Sequence, residues 1–259
     1  MTEKLPVVAT IVETISTLRS LTPAIARFGW LTLVAMTAQF ILANVVLADE
    51  SDKSPSDLAF VGFLCAILGL LNLPVITSVH RLVLHGVHAR AGLALRREEG
   101  LFLWAGLRMV PLLLAVAIAV GLVFGFVSGI IAVAMKESAL PAAIILGPLQ
   151  AAEAALITLF SCRYFLIFPA AAVGRTLKLG DAANLLKGNV LRLCAILVPV
   201  WITGWLPQLI AHLLADSVPL TGALLGACFG TISTMLFAVS LSLVFRRLSD
   251  VPDAGYPLQ

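Results

Sequence analysis

The sequence predicts an all-α integral membrane protein with six transmembrane helices, short cytoplasmic amphipathic helices and both termini cytoplasmic. Three observations predict it. Hydrophobic residues make up 60% of the 259, charged residues only 12%, and the mean hydropathy is +1.05. Soluble chains carry about 25% charged residues to cover their surface, so lipid is the solvent this composition suits. Six apolar runs each offer roughly the 20 residues that span about 30 Å of hydrocarbon as a helix. Lysine and arginine, finally, fall almost entirely on one side of the resulting topology.

The first thirty residues, MTEKLPVVATIVETISTLRSLTPAIARFGW, lack the uninterrupted apolar core of a secretory signal. Val7, Val8, Ile11, Val12, Ile15 and Leu18 instead recur at three- and four-residue spacing, while Glu3, Lys4, Glu13 and Arg19 avoid that face. This predicts a short amphipathic helix on the membrane surface, ended near Pro23. The domain reading that follows is a cytoplasmic segment over 1–26, a six-span membrane domain over 27–247 and a cytoplasmic tail over 248–259.

The spans are read at 28–48, 57–78, 110–133, 140–161, 193–214 and 219–244. Polar breaks separate them: ADESDKSPSD, HARAGLALRREEG, MKES and LLADS. With the N-terminus inside, every Lys and Arg except Lys53 and Lys136 lies on the cytoplasmic side, as the positive-inside rule requires. The same placement explains the basic clusters by anionic headgroups and excludes nucleic acid as the partner. An amphipathic or capped segment precedes each pair of spans, at 3–22, 82–99 and 179–188, which suggests three hairpins each prefaced by a surface helix.

Two spans carry packing signals. Gly121, Gly125 and Gly129 recur every fourth residue in the third, and Gly222, Gly226 and Gly230 do so in the sixth. Residues four apart share a helix face, so each series makes a smooth groove for another backbone. That groove serves either the bundle itself or a partner. The fifth span, LVPVWITGWLPQLI, holds Pro199, Gly204 and Pro207, the pattern of a helix that breaks to line a cavity or simply kinks.

Few groups could carry chemistry. Glu153 is the one acid well inside a span, about 12 residues or roughly 18 Å from its outer end. An intramembrane carboxylate is costly unless paired or protonated, and Gln150 lies three residues away on nearly the same face. The pair is a candidate polar site for a proton or cation, or a structural hydrogen bond. Arg81, Arg108, Arg163 and Arg175 stand at span mouths as candidate headgroup contacts. Arg163 emerges where the fourth span ends and can snorkel to phosphates; Pro169 then turns the chain, PAAAVG follows the headgroup boundary, and Asp181 caps a short helix ended by Gly188.

His80, His85 and His88 lack an acid or cysteine near enough in sequence to complete a metal shell. Cys65, Cys162, Cys194 and Cys228 show no CxxC spacing and read as small hydrophobes. Neither a GxSxG elbow, a Walker loop nor an HExxH helix is present. The sequence therefore points away from an enzyme and calls for no cofactor and no metal.

The stretches SVHRLVLHG after the second span, CRYFLIFPAAAVG, and GDAANLLKGNVLRL before the fifth resemble the poorly characterised bacterial six-span membrane proteins of the YciC-like kind. They are also similar to the membrane domain attached to some glycerophosphodiester phosphodiesterases. The resemblance implies a multi-pass protein of the bacterial inner membrane without a settled activity and without the catalytic barrel. The expected role is a non-enzymatic scaffold, assembly factor or accessory subunit whose partners are membrane lipids and other membrane proteins or a second copy of itself. The alternative is a transporter or permease-like component built on Glu153.

Overall fold

Val7–Ile41 forms one 35-residue helix, α1, that runs straight through Pro23. The expected stop at Pro23 is not what the structure has: the helix read as a surface segment continues without a break into the residues read as the first span. Thr10, Thr14, Leu21, Ile25, Phe28, Thr32 and Ala35 are all buried, and their three-, four- and seven-residue spacing is a single unbroken stripe. Proline costs a helix interior about 3 kcal/mol, because it lacks an N–H and crowds the preceding turn. Pro23 points outward, and next to it the Thr22 hydroxyl donates to the Leu18 carbonyl at 2.9 Å. Packing along the whole stripe outweighs the local penalty.

The computed structural model describes residues 4–42, 55–86, 96–134, 143–214 and 219–249, and it is helical nearly throughout. After α1 come α2 (Pro55–Leu71) and α3 (Leu73–His85), separated at Asn72. Pro74 sits at the start of α3 and cannot donate to the preceding turn, which loosens the helix at Asn72 without ending the apolar stretch Phe60–His85. α4 (Arg97–Ala134) is a single helix of 38 residues, with Glu98 and Glu99 in its first turn, where carboxylates complement the helix dipole. The surface helix expected over 82–99 is thus divided: its start finishes α3, its end begins α4, and 87–95 lies outside the described residues.

α5 (Ala143–Ser161) ends in a 3-10 turn, Cys162–Tyr164, followed by α6 (Ile167–Ala172) and α7 (Leu179–Leu185). α8 (Val190–Leu214) then leaves α7 at 92°. Its backbone stays helical through Pro199 and Pro207, so the fifth span is continuous rather than broken. α9 (Pro219–Leu248) closes the bundle.

α9 is the most enclosed of the long helices, and α1 lies antiparallel against it. Glu13 meets Arg246 and Arg247, Thr14 meets Ser240, and Phe40 lies against Gly226. The start of α1 and the end of α9 therefore share one end of the bundle. That end holds the tightest packing. Leu84, Phe102, Met109, Leu166, Ile167, Leu193, Leu241 and Phe245 form one core there, continuous with Ala170, Ala171 and Ala172 of α6. Pro169 and the three alanines of PAAAVG are accordingly buried in the core rather than laid along a boundary, and the small side chains allow α6 close to its neighbours; Gly174 is exposed.

Elsewhere large apolar side chains face outward, as with Leu122, Val123, Phe126 and Val133 on α4. Val7–Ile41, Phe60–His85, Arg97–Ile131 and Thr221–Leu248 are long and apolar enough to cross a membrane, and the bent pair α7 and α8 makes a fifth stretch if counted as one. This fits a multi-pass membrane protein. Lys53, Lys136 and the tail from 250 onward lie outside the described residues.

Candidate functional site

Ser78, His80 and Arg81 of α3 are all buried, in the part of the chain where the core is densest. A buried charge needs a partner, and Arg81 has one: its guanidinium bonds the Glu99 carboxylate, itself buried in the first turn of α4. The other Glu99 oxygen accepts from the Arg96 backbone N–H at 2.7 Å. Arg81 is therefore not a headgroup contact. The α3 start at Leu73 carries its last turn into the bundle, and the charge is neutralised there by α4.

His80 lies one residue away on the side facing α9. Its Nδ1 is 2.7 Å from Ser242 Oγ, and that hydroxyl donates its only hydrogen to the Ala238 carbonyl at 2.9 Å. Ser242 can then only accept from the ring, so Nδ1 carries the proton. The imidazole also stacks 5.7 Å from Phe102, which lies 5.1 Å from Phe168. These contacts knit α3, α4, α6 and α9. With its hydrogen given to the Ala238 carbonyl, the Ser242 hydroxyl is held as an acceptor beside the imidazole.

The remaining candidate arginines differ among themselves. Arg163 is exposed directly after α5, its guanidinium 4.8 Å from the Tyr164 ring centroid. Arg175 is exposed in the turn before α7. Arg108 is half-buried, donates to the Leu177 carbonyl at 3.4 Å and lies 6.0 Å from the Trp104 ring, so it ties α4 to that same turn. Asp181 lies in the first turn of α7 and does not cap it; the position before the helix is Lys178. Gly188 adopts a φ of +82°, the left-handed turn that leads into α8.

Glu153 is half-buried on α5 and faces α4. Its Oε1 lies 3.5 Å from the point where a Cβ on Gly121 would stand, an ordinary van der Waals distance, so the carboxylate rests beside the Gly121 turn of α4. The Gln150 side chain lies outside the described residues.

The two glycine series part company. Gly222, Gly226 and Gly230 are buried, and Gly226 and Gly230 receive Phe40 and Met36 of α1. On α4, Gly125 and Gly129 have open space where a side chain would stand. The sulfurs of Cys162 and Cys194 touch at 3.1 Å as free thiols, while Cys228 is exposed. Among the described residues, no three His, Cys, Asp or Glu side chains gather as a metal site would require.

Sequence reasoning missed three clasps. Glu13 takes Arg246 at 2.8 Å and also Arg247. Asn189, buried, accepts the Leu5 N–H at 3.0 Å, and Arg192 donates to the Leu5 carbonyl at 2.8 Å. Each partner stands more than 180 residues away in the chain, beyond the reach of any local pattern. Comparison with protein-family models, curated proteins and solved structures finds no match to this chain.

Proposed function

We propose that this chain is a six-span protein of the bacterial inner membrane that works without catalysis, as a scaffold, assembly factor or accessory subunit. The start of α1 and the end of α9 share one end of the bundle, which supports an even number of crossings, and α5, at 19 residues, is long enough to be a sixth beside the five apolar stretches. Both termini are assigned to the cytoplasm because the basic residues gather on their side. The YciC-like resemblance agrees with that address.

The observation that carries the role is the difference between the two glycine series. Lipid chains have no use for a smooth helix face, whereas a second helix approaches closely only on one. The Gly226 face is filled by α1; the Gly125 and Gly129 face of α4 is open and offers such a seat to a helix of another membrane protein or a second copy. A photo-crosslinking residue at position 129 in native membranes should give a discrete protein adduct that Gly125→Leu abolishes. Adducts to lipid alone would sink the scaffold reading.

A second reading has its own observation. Glu153 has no ion-pair partner among the described residues and lies half-buried between α4 and α5, a position suited to a proton or cation carrier. Under it, Glu153→Gln abolishes an ion-dependent flux in proteoliposomes; an unchanged flux removes the carboxylate from any mechanism.

A further inference from the structure

A groove of about 80 Å³ opens between α1, α8 and α9, lined by Ile11, Ile15, Ile196, Pro199, Val200 and Leu236, with Thr14, Thr203 and Ser240. Its hydroxyls are already engaged. Thr14 donates to the Thr10 carbonyl at 2.8 Å and touches Ser240 at 3.4 Å, and Thr203 donates to the Pro199 carbonyl at 2.8 Å. The lining thus offers an occupant no free polar group, so water gains nothing there and an alkyl chain does. Ile15 is largely exposed, so the groove is open to the surroundings of the bundle.

The end of this seam is cationic. Arg192 lies on the α8 stripe of Ile196, Pro199, Val200 and Thr203, one turn, or about 6 Å, before Ile196. It is half-buried and spends one nitrogen on the Leu5 carbonyl, which fixes its position while leaving further N–H donors. Lys4 is exposed beside it in sequence to Leu5. Lys4, Leu5, Pro6, Arg247 and Leu248 also line a second cavity of about 240 Å³ at the shared end of α1 and α9. Glu13 takes up Arg246 and Arg247, so among these described residues one carboxylate stands against four cations, Lys4, Arg192, Arg246 and Arg247.

We propose that this seam binds one anionic glycerophospholipid, with its phosphate held by Lys4 and Arg192 and part of one acyl chain in the Ile11–Ile196–Leu236 groove. The cations select the charge of the headgroup and the groove selects the chain. The proposal rests on the membrane reading but not on the scaffold role, since its readout is lipid retention rather than protein capture.

The test is native mass spectrometry of the full chain in mild detergent, titrated with palmitoyl-oleoyl phosphatidylglycerol and, in parallel, phosphatidylcholine. One phosphatidylglycerol should be retained in preference to phosphatidylcholine. Lys4→Gln and Arg192→Gln should each weaken that retention about fivefold, the worth of one basic residue near an anionic lipid. Ile15→Trp, which fills the groove from an exposed position, should weaken retention of both lipids, and Arg97→Gln, at an exposed cation on α4, should leave it unchanged. Equal retention of the two lipids, wild-type retention by Lys4→Gln or by Ile15→Trp, or an equal loss in Arg97→Gln would overturn the site. So would full displacement by millimolar inorganic phosphate, which would mean that the groove contributes nothing. Lys4→Gln and Ile15→Trp alter exposed side chains, so the answer survives if Arg192→Gln fails to fold.

Discussion

Gly204→Ala is the sharpest test of how α8 meets α9. In an open helix this change is favourable by about 1 kcal/mol, because alanine loses less backbone entropy. At position 204 the new Cβ would stand 2.7 Å from Ser233 Oγ and 3.2 Å from Ser233 Cβ, against an ordinary carbon contact of about 3.5–4.0 Å. The hydroxyl can rotate away only by giving up its 2.9 Å bond to the Val200 carbonyl, worth about 0.6 kcal/mol within a membrane bundle. The Ser233 Cβ cannot rotate at all, so the helices must part by a few tenths of an ångström. Overpacking of this kind costs about 1–3 kcal/mol. With the propensity gain subtracted and the hydrogen bond included, the net loss is about 0.5–2.5 kcal/mol. Equilibrium unfolding in mixed micelles measures it, and a cycle with Ser233→Ala isolates the contact. The double variant should be about 1 kcal/mol more stable than the sum of the single losses. A Gly204→Ala protein as stable as wild type, or strict additivity, would refute the close approach of the two helices.

Further expectations follow from the same contacts. Arg81→Ala or Glu99→Ala should each destabilise by about 3–5 kcal/mol by leaving a buried charge alone, whereas Arg81→Met with Glu99→Leu should recover most of the loss; unfolding titrations of the three variants decide it. Glu13→Gln should cost no more than about 1 kcal/mol, because the clasp on Arg246 and Arg247 is partly exposed, and raising the salt concentration should shrink the difference from wild type. Gly226→Val should separate α1 from α9, since even its first carbon would meet the Phe40 ring at 2.7 Å, while Gly125→Val meets nothing and should leave monomer stability nearly unchanged; crosslinking between cysteines at positions 36 and 230 reads the separation directly.

Local pattern was enough for some features and blind to others. The helical class, the approximate limits of the helices α5, α8 and α9, and the short helix before α8 were all legible in the run lengths, because a helix hydrogen-bonds within its own segment. The stop at Pro23 was not. Proline reads as a helix end in sequence, and what overrides it is a buried stripe whose partner, α9, begins about two hundred residues later. Arg81 read as a span-mouth cation for the same reason. Nothing near it in sequence announces Glu99 as its buried counter-charge, because the two stand 18 residues apart on different helices, α3 and α4. Glu153 stood out as an acid in an apolar helix, but its neighbour, Gly121, belongs to a different helix and could not be read from the segment around Glu153.

By itself, then, the sequence determined the solvent and the kind of structure. An apolar fraction of 60% cannot be covered by 12% charge, and backbone groups in lipid must be satisfied within helices. It also determined which residues share a face, since spacing along one helix is a local property. Only the tertiary structure decided which faces are filled. The same four-residue glycine spacing is occupied by Phe40 and Met36 on α9 and open on α4; the same arginine at a span mouth is buried against Glu99 at position 81 and exposed at position 163. Periodicity fixes an angle around one helix axis. The neighbour found at that angle depends on how the helices pack, through contacts between residues far apart in the chain.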